Sequence, residues 1–76
     1  MYIYELKPTN SQKSFYGKAT VAVGDDGTRT LYSYGTAVIK ETPDGELVRL
    51  WDDWSATTGK HIRSFCGINK AEFDRL

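Results

Sequence analysis

The chain has 76 residues, enough for one small domain over residues 1–76, and its ten aromatic side chains must supply much of so small a core. Ten basic residues balance ten acidic ones, six of each in residues 1–50 and four of each in 51–76, which argues against a bulk electrostatic hold on duplex nucleic acid. The single cysteine leaves no disulfide framework, no Cys/His spacing fits zinc, and neither a signal-peptide pattern nor a run of ~18 apolar residues is present, so a cytoplasmic protein without metal, cofactor or membrane span is expected.

Residues 2–6 (YIYEL) are aromatic and β-branched and predict a short strand. Residues 7–14 carry turn chemistry without periodicity and predict a loop. Over residues 15–23, Phe15, Ala19, Val21 and Val23 alternate with Tyr16, Lys18 and Thr20, the pattern of a half-buried strand. The turn GDDG leads into residues 28–41, the longest strand candidate, whose imperfect alternation means either that both faces are covered or that Gly35 marks a bulge that resets the register. TPDG is a second tight turn, and residues 46–51 (ELVRLW) predict another strand.

At Trp54 the period changes. Ser55 or Thr57 can cap a helix, Thr58, Ile62 and Phe65 fall on one stripe with His61 beside them, and Gly67 is a natural stop. Asn69 and Glu72 then stand in capping-box positions for a short second helix. Strands first and helix last predict an α+β domain: a small antiparallel meander of three or four strands packed against a C-terminal helix.

No motif specifies a reaction. TTGKHI lacks the first glycine of a phosphate-binding loop, where Trp54 stands, and the following hydroxyl, where His61 stands. Asp25–Asp26 and Asp52–Asp53 lack the spacing of a calcium loop. His61 and Cys66 are turned ~140° apart around a helix, which is poor geometry for a nucleophile–base pair. A weaker anion site survives at the helix start, with Thr57, Thr58, Lys60 and Arg63 as its groups, beside the plainer use of the hydroxyls as caps.

The strand SYGTAV followed by the helix WSATTGKHIRSF resembles a small domain family of unknown function, common among phage and mobile-element genes of bacteria. Its pattern falls here on Tyr34, Thr36, Val38, Ser55, Thr57, Thr58, His61, Ile62 and Phe65, with Gly59 and Cys66 atypical. The resemblance implies no activity. It implies a viral or mobile-element origin and a non-enzymatic protein that occludes a host protein, a defence component being one such target.

Three uses are therefore expected in order. The first is a protein-binding surface on the uncovered sheet face, with Tyr16, Lys18, Arg29 and Tyr32 as anchors. The second is single-stranded nucleic acid stacked on the tyrosines, and the third is the anionic ligand at the helix start. Independently of these, Tyr34, Thr36, Trp54, Ser55 and His61 are expected to form a structural clasp between helix and strand, and an exposed strand edge admits a homodimer.

Overall fold

A computed structural model of the chain describes residues 1–8, 15 and 17–76. The expected contact residue Tyr16 and most of the 7–14 loop lie outside the described residues. Among those described, the chain forms β1 (Tyr2–Glu5), β2 (Ala19–Val23), β3 (Arg29–Ser33), β4 (Thr36–Glu41), β5 (Leu47–Arg49), α1 (Ala56–Cys66) and α2 (Lys70–Asp74). The five strands form one antiparallel sheet in the order β1-β2-β3-β4-β5. The architecture is α+β with the helices after the sheet, and the sheet has five strands rather than three or four.

The extra strand comes from the segment read as one long strand over residues 28–41. It is a hairpin. Tyr34 (φ 53) and Gly35 (φ 81) form its two-residue turn, both in the left-handed region that a type I′ turn requires. A tyrosine rarely adopts that conformation, so the turn has no Asn-Gly or Asp-Gly signature in the sequence. The break in alternation has its own origin three residues later. Leu31 pairs with Ile39 but Tyr32 pairs with Ala37, leaving Val38 as the bulged residue. The bulge brings Val38 and Ile39 into the core together.

The other two hairpins follow their turn residues closely. In GDDG, the Gly24 N–H donates to the Thr28 carbonyl at 2.8 Å and the Gly27 N–H to the Gly24 carbonyl at 3.0 Å. TPDG repeats the arrangement with Thr42, Glu46 and Gly45, each bond being 2.9 Å.

The sheet is strictly two-faced. Ala19, Val21, Leu31, Ser33 and Ile39 project to one side by their cross-strand pairing, and all are buried. Ile62, Phe65, Ile68 and Phe73 from the C-terminal segment join them in the core cluster. On the other side, Ile3, Glu5, Thr20, Ala22, Thr30, Tyr32, Ala37, Lys40 and Val48 share cross-strand rows, and none is buried. Among the described residues, one face is thus covered by helices and the other is open.

Candidate functional site

The segment around α1 carries the polar motif, and local chemistry sets its start and stop. Ser55 is the N-cap, its Oγ accepting the Thr58 N–H at 3.1 Å, and left-handed Gly67 closes the helix with its N–H on the Arg63 carbonyl. At α2 both bonds of the Asn69–Glu72 capping box form, at 2.9 and 3.2 Å. Among the described residues no cavity opens onto either helix.

From the first turns of α1, His61 and Thr58 reach toward β3. The His61 Nδ1 lies 2.8 Å from the Ser33 Oγ, and the Thr58 Oγ1 lies 3.3 Å from the same oxygen. The Phe15 and His61 rings meet in a T-shaped contact with centroids 4.5 Å apart, and the Tyr34 ring is tilted against His61 at 5.7 Å. Burial holds the His61 pKa below its usual value, so the neutral ring is the favoured form. The strand residue bonded to His61 is Ser33, next to the expected clasp residue Tyr34. Tyr34 contributes its ring, and Thr36 stands opposite Ser33 across the hairpin. Ser33 shares its strand face with Leu31 and Arg29, a parity that could have found it.

A serine and a histidine in hydrogen-bond contact have the elements of a nucleophile and base. Here Ser33 and His61 are only 3% and 1% exposed, so a substrate has no approach to the serine oxygen. The pair is placed to hold the helix on the sheet.

Trp54 completes the helix seam. Its ring lies 5.3 Å from Phe73 by centroids, and the Arg63 guanidinium sits 5.8 Å from it. It also explains Gly59. A Cβ at that position would lie 2.6 Å from the Trp54 indole, so only glycine allows the ring to lie against the helix backbone.

The groups expected at an anion site are dispersed among these structural contacts. The Thr58 amide is held by Ser55 and its hydroxyl contacts Ser33, while Arg63 is drawn onto Trp54. Thr57 and Lys60 are exposed.

The residues expected to anchor a protein partner also separate. Tyr32 lies on the open face, between Thr20 and Ala37. Lys18 is exposed, with its Nζ 5.6 Å from the Tyr34 ring. Arg29 lies on the opposite, helix-covered face, which corrects its expected placement. Its Nε donates to Glu41 at 3.1 Å, and its guanidinium packs 4.9 Å from the Phe65 ring. The physical reason is that an arginine stem can cover apolar surface while its head stays partnered at the rim. The described tyrosines do not share a face either. Tyr2 and Tyr4 pair across to Val23 and Val21 on the helix side, Tyr32 is on the open side, and Tyr34 is in a turn.

A family model described as a family of unknown function (DUF8033) matches residues 4–75, nearly the whole chain. The chain belongs to DUF8033. The match takes in β2 to α2, with the Ser33–Thr58–His61 cluster and the Trp54–Gly59 contact of this DUF8033 chain. No curated protein and no solved structure matches it.

Proposed function

We propose that the chain is a non-enzymatic protein-binding module whose contact surface is the open face of the sheet, centred on Tyr32. The observation that carries this reading is the two-faced sheet. The helices cover one side, while the other presents Tyr32 in the middle strand between Thr20 and Ala37, with Ala22 and Val48 in the next row of the same face. Tyrosine is enriched among interface anchors, and a mixed apolar and hydroxyl-bearing surface suits a protein partner. The sequence resemblance to phage and mobile-element genes extends the proposal to a host protein, occluded in the bacterial cytoplasm.

Affinity capture of the tagged chain from bacterial lysate, with and without nuclease, tests this function. The expected result is one protein retained in near-stoichiometric amount after nuclease and lost with Tyr32→Ala, while the variant keeps the wild-type circular dichroism. Retention that vanishes with nuclease, or that Tyr32→Ala leaves unchanged, overturns it.

A further inference from the structure

We infer that β1 is a self-pairing edge, through which two copies of the chain join their sheets antiparallel about a two-fold axis at Ile3. The two ends of the sheet are unlike. At one end β5 has only three residues, all half-buried, and its Arg49 guanidinium packs 5.5 Å from Phe73. At the other, every residue of β1 is exposed, with Tyr2 at 63% and Ile3 at 66%. β1 also pairs with β2 through four consecutive residues without a shift. It carries no proline, lysine or bulge, and of the devices that blunt a sheet edge it has only its shortness and the charge of Glu5 at its end.

The backbone then fixes which groups are offered. The Leu6 N–H donates to the Ala19 carbonyl at 2.9 Å. Antiparallel alternation therefore directs the backbone groups of Tyr4 and Tyr2 toward β2, and those of Ile3 and Glu5 outward. Only outward residues can exchange hydrogen bonds with an incoming strand.

Among symmetric registers, one centred on Glu5 sets its carboxylate against the partner's Glu5, and like charges directly opposite are unfavourable. One centred on Tyr4 sets Ile3 against the partner's Glu5. The register centred on Ile3 sets it against the partner's Ile3 on the open face. It also pairs Tyr2 with the partner's Tyr4, twice, on the helix face. Cross-strand aromatic and β-branched pairs are the favourable kind. This self-complementarity selects a second copy over an unrelated strand, and the interface it makes is isologous. So short a strand buries less than a standard interface, so the association is weak and concentration-dependent.

The proposal uses the edge of β1 and does not depend on Tyr32. Sedimentation equilibrium of the whole chain, from on the order of 10 µM to 1 mM, tests it. The wild type is expected to pass reversibly from 8.6 kDa to twice that mass. Ile3→Lys should raise the dissociation constant more than tenfold with unchanged circular dichroism, and Tyr32→Ala should leave it alone. In a Cys66→Ser background, Ile3→Cys should cross-link on oxidation and Val48→Cys should not, a readout that stands if the lysine variant misfolds. A wild type that is monomeric throughout, or a dimer that Ile3→Lys leaves intact, overturns the assignment.

Discussion

Ser33 and His61 stand 28 positions apart in the chain, and the oxygen of one lies 2.8 Å from the Nδ1 of the other, inside the seam between β3 and α1. Removing either leaves a buried polar group without this partner. Ser33→Ala and His61→Ala should each lower unfolding free energy by about 1–3 kcal/mol. The double variant should cost less than the sum, with a coupling of about 0.5–3 kcal/mol measured by urea denaturation. Strict additivity would show that the contact does not bind helix to sheet.

The same burial makes stability depend on pH. His61 has its folded pKa lowered by desolvation, so between the two pKa values the unfolded chain binds the proton more readily. Its contribution is fully present above the unfolded value of about 6.5 and declines as pH falls below it, levelling off below the folded pKa. The melting temperature should therefore drop between about pH 7 and pH 5, and His61→Gln should flatten that slope. Asp26 and Asp44, lowered chiefly by hydrogen bonds from Thr28 and Thr42, act only below their usual value of 3.8 and leave this window clear.

Gly59 offers a test in which two local rules oppose each other. Glycine inside a helix costs about 1 kcal/mol relative to alanine, so Gly59→Ala would stabilise an isolated helix. In the folded chain the new methyl group would collide with Trp54. Overpacking of this kind costs about 1–3 kcal/mol, so the variant should be less stable overall, with a shifted tryptophan emission as the ring moves. A gain in stability would mean that the ring does not rest on the helix.

Cys66 is half-buried, and burial pushes its thiol pKa up, so little thiolate forms near neutrality. Iodoacetamide at pH 7.5 should modify the folded chain at least about tenfold more slowly than the urea-unfolded chain. Equal rates would place the sulfur in solvent.

What the sequence revealed depended on how local each determinant is. Ser55, Gly67, the Asn69–Glu72 box and the turns GDDG and TPDG act within a few residues, and their roles follow from side-chain chemistry alone. The Tyr34–Gly35 turn did not announce itself, because a tyrosine at positive φ breaks the preference on which turn reading rests. The bulge at Val38 hid the register of β4 in the same way. The enrichment of arginine among interface anchors points Arg29 to the open face, although its strand parity matches that of Leu31. At the candidate site, the sequence brought forward Thr58 and His61 but not Ser33, since a lone serine on a strand carries no signal until a helix is laid across it.

The polar cluster at one end of α1 also governs how far the helix can slide. Aliphatic side chains on a sheet tolerate neighbouring alignments at similar energy, and a slip of one helical turn is a shift of only about 5.4 Å. Such a slip would carry Thr58 and His61 away from Ser33, strand the imidazole among Phe15 and other apolar groups, and draw Phe65 out from beneath Arg29. The two ends of the helix are thereby keyed to two different positions on β3, like pins of unequal shape, and the alignment is chosen by directional contacts more than by the oily layer between them.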